Sequence, residues 1–497
     1  MDMNNLSYLE LNEKGLENFE NKDYEKALSF FNKALDLDCG NPRAFFNIGK
    51  TYFEMKDYMS ALSYLEQVPM LDTNEEITSI YKILGKTYML TGEHIMAISN
   101  LSKAMEFDSS DYEIIMDLAS INYSKGEIKA SITYLKKAIE IRPEEIDLYI
   151  KLGDVYNSLN EFNLAIDIYN KILKIDKNNV LAYYNLGKLY SKIKQYEMSV
   201  DNLEKATTIN PEHSESYFEL GNLYIETEQY DSAEKYLKKS LELDPKNTIY
   251  YKRLAKLYLN SKQEEKALEI LALFEKLSPD DYKSFIDIGD YLIKFDLYDS
   301  ALDYFNKVVS KNPENYEALS KVAYTYLLMS DPDKAKPVLD KSNELNNKYP
   351  FNLYCLGLYH LKTKQIDDSI FYFERTLDME KNHYEALIEL GSVFHHKGMH
   401  ELAIENFEKA LTLDPNSAYS HYYLGMTYIA IGRHDNAVGH FNYAKKLKPS
   451  IEKQISDKNL EIYGTAKEQK AHSANKPSPD HTKPDIKMFI DKFKGKL

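Results

Sequence analysis

The sequence predicts an all-α solenoid of about thirteen helical hairpins, and three observations carry that expectation. First, a Leu-Gly pair followed by Tyr three residues later recurs at Leu84-Gly85-Tyr88, Leu152-Gly153-Tyr156, Leu186-Gly187-Tyr190, Leu220-Gly221-Tyr224 and Leu424-Gly425-Tyr428, always 34 residues or a multiple of 34 apart. Second, every position in phase with those glycines, along the whole array, holds Gly or Ala. Third, the position twelve residues further on is always Ala or Ser.

With the glycine counted as place 8, repeats begin at Tyr8, Pro42, Thr78, Tyr112, Ile146, Val180, Ser214, Thr248, Tyr282, Tyr316, Pro350, Tyr384 and Ala418, and only the step from Pro42 to Thr78 carries two extra residues. Place 8 is Gly in ten repeats and Ala at Ala119, Ala255 and Ala323. Glycine inside a helix costs roughly 0.5–1 kcal/mol relative to alanine. A cost accepted at one phase so often implies a steric need, namely a close approach of two helices.

The partners follow from the same register. Place 20 is Ala in ten repeats and Ser at Ser131, Ser199 and Ser369. Place 24 is always large, from Phe31 and Leu65 to Phe407 and Phe441, and small opposite large is how helices interdigitate. Apolar residues at places 4, 7, 8 and 11, and again at 20, 24 and 27, keep helical spacing, so each repeat predicts two amphipathic helices with a turn near places 14 to 18. Place 32 is Pro in seven repeats, as in "LELDPKN". Proline there stops the second helix and suits the first turn of the next.

These residues resemble the tetratricopeptide repeat, over residues 8–451. The departure from the family pattern is small: Tyr81, Tyr149, Tyr183, Tyr217 and Tyr251 stand at place 4, where the family often has Trp. Tyr also fills place 11 in eight repeats, which assigns thirteen of the 42 tyrosines to packing. The resemblance implies an elongated right-handed superhelix whose first helices line a concave groove through places 2, 5, 6, 9, 12 and 13, and such grooves hold peptide segments of other proteins.

In repeats 2 to 9 those places mix Lys50, Lys82, Lys86, Lys188, Arg253 and Lys256 with Asp117, Asp154, Glu219, Asp287 and Asp290. In repeats 10 to 13 they are more apolar, with Tyr324, Leu327, Leu328, Tyr354, Leu358, Leu361, Ile388, Tyr419, Tyr422, Tyr423, Met426 and Ile429. Clustered aromatics with Met favour interface centres. A partner's apolar segment is therefore expected on Tyr324, Leu327, Tyr354, Leu358, Leu361, Ile388, Tyr419, Tyr422, Tyr423 and Met426. The bland alternative is that these side chains pack between neighbouring first helices. The carboxylate clamp for chaperone C-termini is not matched, since its places hold Asn12, Leu16, Asn47, Ser79 and Ile83. The asparagine ladder known in the family is missing too, with only Asn47 and Asn185 at place 6.

Charge and composition exclude other classes. Sixty-two basic against 78 acidic side chains leave a net charge of -16, which repels nucleic acid and anionic membrane. No uninterrupted apolar run of about 18 residues occurs, and the opening MDMNNLSYLELNEKG lacks a basic region before an apolar one, so no integral membrane segment and a cytoplasmic location are expected. Cys39 and Cys355 offer neither a disulfide framework nor a metal clip and are expected as buried small hydrophobes.

No catalytic, cofactor or metal site is expected. Gly49-Lys50-Thr51 and Gly85-Lys86-Thr87 imitate the end of a phosphate-binding loop, but both fall on the repeat phase and Ala44 and Ile80 stand where that loop needs glycine. His396 and His400 keep helical ligand spacing but straddle Gly398 in the expected turn, and His421 at place 4 is expected as a packed core histidine.

The remaining segments are a short lead (1–7), a capping helix (452–470) and a Pro-rich tether (471–485). The last segment, 486–497, is a basic amphipathic helix with Ile486, Phe489, Ile490, Phe493 and Leu497 on one face and Lys487, Lys492, Lys494 and Lys496 around it, suited to weak docking on an acidic partner, on the solenoid itself, or on an anionic membrane. The expected function is a non-enzymatic interaction scaffold or adaptor, with a regulatory or substrate-recruiting subunit of a separate enzyme as the alternative.

Overall fold

The computed structural model describes residues 6–68 and 74–451. The expected capping helix, tether and basic helix lie outside the described residues, as does most of the lead. The chain divides into two compact units, one ending at Gln263 and the other beginning at Glu264, so that repeat 8 gives its first helix to one unit and its second to the other.

The first unit contains α1 (Tyr8–Glu20), α2 (Tyr24–Leu37), α3 (Pro42–Glu54), α4 (Tyr58–Leu65), α5 (Asn74–Leu90), α6 (His94–Phe107), α7 (Tyr112–Ser124), α8 (Ile128–Ile141), α9 (Ile146–Ser158), α10 (Phe162–Ile175), α11 (Val180–Lys192), α12 (Tyr196–Ile209), α13 (Ser214–Glu226), α14 (Tyr230–Leu243) and α15 (Thr248–Asn260). The second contains α16 (Glu264–Leu277), α17 (Tyr282–Ile293), α18 (Tyr298–Lys311), α19 (Tyr316–Leu328), α20 (Pro332–Leu345), α21 (Pro350–Lys362), α22 (Ile366–Met379), α23 (Tyr384–His396), α24 (His400–Leu413), α25 (Ala418–Ala430), α26 (His434–Leu447) and a 3₁₀ turn at Pro449–Ile451. These 26 helices, with no strand among the described residues, are the thirteen expected pairs. Within each unit, α1 to α15 and α17 to α26 each pack on the next in sequence, α16 meets α17 through the Phe274 and Phe285 rings, 6.2 Å apart, and first helices also touch the first helices of neighbouring repeats, as in α19 with α21 and α11 with α13.

The place-8 register is steric. A methyl group added at any of Gly15, Gly49, Gly85, Gly153, Gly187, Gly221, Gly289, Gly357, Gly391 or Gly425 would lie under 3 Å from the place-24 side chain of the same repeat, a phenylalanine, leucine or tyrosine. Place 20 touches the same spot: the Ser131 hydroxyl donates to the Ala119 carbonyl at 2.8 Å, and Ser199 to the Gly187 carbonyl at 2.7 Å. Where place 20 is Ala it is fully buried, from Ala27 to Ala437.

The turn inside each hairpin has its own rule. Place 15 adopts left-handed backbone in all thirteen repeats, as glycine at Gly92, Gly126, Gly398 and Gly432 and as a side-chain-bearing residue at the other nine, such as Lys22, Asn160, Lys194 and Glu228. The following residue's N–H then reaches back to the carbonyl five residues earlier, as from Asp23 to Asn18 at 2.9 Å and from Gln195 to Tyr190 at 2.8 Å. That pairing satisfies the last carbonyls of the first helix. The same residue often caps the second helix, as Asp23, Asp57 and Asp331 do by accepting from the backbone N–H three residues on.

Two expectations about place 32 are corrected. Except in repeat 2, where α4 ends at Leu65, the second helix ends at place 30, and six of the place-32 prolines sit in the turn between repeats, not in the first turn of the next helix, while Pro449 opens the 3₁₀ turn. Cys39 occupies this same place and is exposed, because the turn faces water, whereas Cys355 is buried in α21. Two of the place-4 tyrosines tie this turn down: the Tyr149 hydroxyl donates to the Pro143 carbonyl at 2.8 Å and Tyr251 to Pro245 at 2.9 Å. His421 does the same work through Nε2, 3.1 Å from the Pro415 carbonyl, and its Nδ1 lies 2.9 Å from Nδ1 of His440.

Candidate docking surface on the first helices

The charged lining of the first unit is largely spent on contacts within the stack, several between neighbouring repeats and two, Tyr169 with Asp154 and Lys188 with Tyr184, inside one repeat. Lys82 pairs with Asp111 at 2.8 Å and with Glu113 at 2.6 Å, and Lys86 reaches Glu113 as well. Arg253 donates to Asn222 at 2.6 Å, and the Tyr169 hydroxyl donates to Asp154 at 2.6 Å. Lys50 and Lys188 lie over the rings of Phe19 and Tyr184, each 4.9 Å from the ring centre. Thr51 and Thr87 are fully buried and donate to the carbonyls of Asn47 and Ile83, each at 2.6 Å. Both phosphate-loop imitations are thus ordinary helix.

In the second unit the apolar residues of repeats 10 to 13 fall into two groups. Tyr324, Leu327, Tyr354, Ile388, Tyr422 and Tyr423 are only 0–5% exposed. They pack inside the stack: the Tyr324 ring lies 5.3 Å from Phe351, Tyr354 is 6.0 Å from Phe373 and 5.0 Å from His383, and Tyr423 stacks 5.8 Å from Phe407. Burial pushes the phenols of Tyr324, Tyr354 and Tyr423 well above the ordinary tyrosine range. This differs from the expected open apolar lining. The physical reason is that large side chains at places 5, 6, 9 and 12 fill the space between adjacent first helices before they reach the surface.

Leu358, Leu361, Tyr419 and Met426 are half-buried and keep surface to offer. Tyr419 is held by Lys448, whose ammonium donates to its hydroxyl at 2.6 Å. Nearby in the register, Lys362 at place 13 has its amine lowered to about 8, by burial against the opposing pull of Glu389.

A cleft of about 320 Å³ opens at the N-terminal ends of α19, α21 and α23, and its walls include Glu317, Glu380 and Glu385 together with Tyr349 and Phe351. Lys321, 8% exposed, is already committed there to Asp290 at 2.8 Å and to the Phe351 ring at 4.3 Å. His383 is buried at its edge, and burial holds its imidazole below the ordinary range. Sequence reasoning missed this cleft, although Glu317, Phe351 and Glu385 all occupy place 2 of the lining. The available signal was that place 2 alternates acid and aromatic through repeats 10 to 12.

Among the described residues no group of three or more His, Cys, Asp or Glu side chains is arranged to hold a metal ion. His395 Nδ1 lies 3.0 Å from the Thr427 hydroxyl, and its ring is 5.6 Å from that of His400. No described helix is long and apolar enough to cross a membrane.

Family models described as tetratricopeptide or TPR repeats match residues 18–81, 119–158, 153–194, 180–213, 214–247 and 391–432. A model described as anaphase-promoting complex, cyclosome, subunit 3 matches residues 295–370. Among solved structures, MamA is 27% identical over 33% of this chain and 97% of its own, with a TM-score of 0.29. Yeast Tom70 is 15% identical over 93% of this chain and 96% of its own, with a TM-score of 0.46. The anaphase-promoting-complex assembly Cut9-Hcn1 is 16% identical over 89% and 94%, with a TM-score of 0.35. No curated protein sequence matches the chain. The tetratricopeptide-repeat matches together span nearly half of the chain, and with the match at 295–370 more than half, on the register that the glycine, alanine and place-24 contacts define, and the chain belongs to the tetratricopeptide-repeat family.

Proposed function

We propose that this chain is an interaction scaffold that holds segments of partner proteins against its first helices and catalyses nothing itself. The observation that carries the reading is the division of labour in the register. Places 8, 15, 20 and 24 serve the hairpin, the first-unit charges serve contacts within the stack, and Leu358, Leu361, Tyr419, Met426 and the acidic cleft at Glu317 and Glu385 remain as surface without a packing duty of that kind. Aromatic and methionine side chains beside a polar rim suit an apolar anchor residue of a bound segment. The net charge of -16 disfavours nucleic acid as the ligand.

The test is affinity purification of the full chain from its native cell beside a Leu361→Glu/Met426→Glu variant. A discrete set of proteins captured by the parent and lost by the variant, with far-ultraviolet circular dichroism unchanged, supports the reading. An identical set from both sinks this location for the site. One stoichiometric catalyst within the captured set would favour the role of a recruiting subunit.

A further inference from the structure

We infer that the resident occupant of the face formed by repeats 10 to 12 is the chain's own C-terminal segment, residues 486–497, which a partner must displace. The inference rests on the scaffold reading and adds to it the regulation of its groove.

The chemistry is complementary. The cleft presents the carboxylates of Glu317, Glu380 and Glu385 beside the rings of Tyr349 and Phe351. Residues 486–497 carry an apolar stripe of Ile486, Phe489, Ile490, Phe493 and Leu497, with Lys487, Lys492, Lys494 and Lys496 against the single Asp491. An amphipathic helix laying its apolar face in a groove while its cations meet a carboxylate rim is a recurrent mode of recognition.

The tether reaches. Thirty-four residues, 452–485, separate Ile451 from the segment. The expected capping helix, at about 1.5 Å per residue, is about 28 Å long, and the expected 15-residue tether adds roughly 19–23 Å root-mean-square, so together they span roughly 35 Å. Helices stack about 8–10 Å apart, which puts repeats 10 to 12 within range. Tethering gives an effective concentration on the order of millimolar, so even a weak contact is occupied.

The test uses a fluorescent synthetic peptide of residues 484–497 with the full native chain and with a full-length Phe489→Asp/Phe493→Asp variant. The inference predicts that the variant binds the peptide and that the native chain binds it at least tenfold more weakly, because its own segment occupies the site. Adding Glu317→Lys and Glu385→Lys to the variant removes peptide binding with circular dichroism intact. Zero-length carbodiimide crosslinking of the native chain joins a lysine of 487–496 to Glu317 or Glu385 within one molecule. Equal peptide affinity of native chain and variant, no binding to the variant, or crosslinks found only between isotopically labelled and unlabelled copies would each overturn it. If peptide binding fails while partner capture still depends on Leu361 and Met426, self-docking alone is wrong. If that dependence fails as well, the scaffold site itself is misplaced.

Discussion

Gly425 and Gly439 lie in the two helices of one hairpin and carry the same substitution to opposite ends. Alanine at Gly425 would meet the Phe441 ring at under 3 Å, while alanine at Gly439 would meet nothing within 4 Å. Overpacking costs typically about 1–3 kcal/mol, and an unobstructed glycine inside a helix gives back about 0.5–1 kcal/mol when it becomes alanine. Urea titration should therefore show Gly425→Ala losing and Gly439→Ala gaining stability in the second unit. The left-handed place 15 gives the mirror case. Lys194 holds φ at 61°, a conformation costing a side-chain-bearing residue about 1–2 kcal/mol, partly offset in glycine by its freer unfolded chain. Lys194→Gly should raise the first unit's urea midpoint by about 0.5–1 kcal/mol in stability. Place 8 was legible in the sequence because only Gly and Ala survive there. Place 15 was not, because Lys, Glu, Asn, Asp and Ser share it with four glycines and reveal no single residue type.

At the scale of the helical hairpin, His421 shows how one contact can be met by a different side chain. It reaches the Pro415 carbonyl from place 4 as Tyr149 reaches Pro143, and pairs with His440 on α26. Tyr443 packs on one ring and Tyr428 on the other. Burial holds both imidazoles below their ordinary range, with His421 adding to the effect on His440. A folded pKa below the unfolded value of about 6.5 means that the contribution is complete above that pH and is lost as pH falls towards the folded value. The melting temperature of the second unit should drop between pH 7 and pH 5, and His421→Tyr should flatten that drop while keeping the bond to Pro415. A pH profile identical in both proteins would refute the assignment. Helix pairs, their phase and the small-against-large contacts were all readable from period and residue size. The status of Tyr324, Tyr354, Tyr422 and Tyr423 was not. Helical spacing places them on the lining face, but it cannot distinguish a side chain that ends in the seam between two first helices from one that clears it.

Over the whole chain, the repeat is both the unit of sequence and the unit of stability, since each hairpin meets mainly its neighbours within its unit. That explains how chemically suggestive fragments such as Gly85-Lys86-Thr87 arise without chemistry: the phase dictates glycine, and the pairing to repeat 4 dictates lysine. The most direct test removes material in and out of phase. Deleting residues 180–213, one full period joining Asn179 to Ser214, should leave a folded chain with unchanged helicity per residue and cooperative urea unfolding. Deleting 180–196, half a period, sets a second helix where a first helix belongs and should collapse both. Equal tolerance of the two deletions, or equal failure, would contradict the claim that 34 residues make the packing unit of this protein.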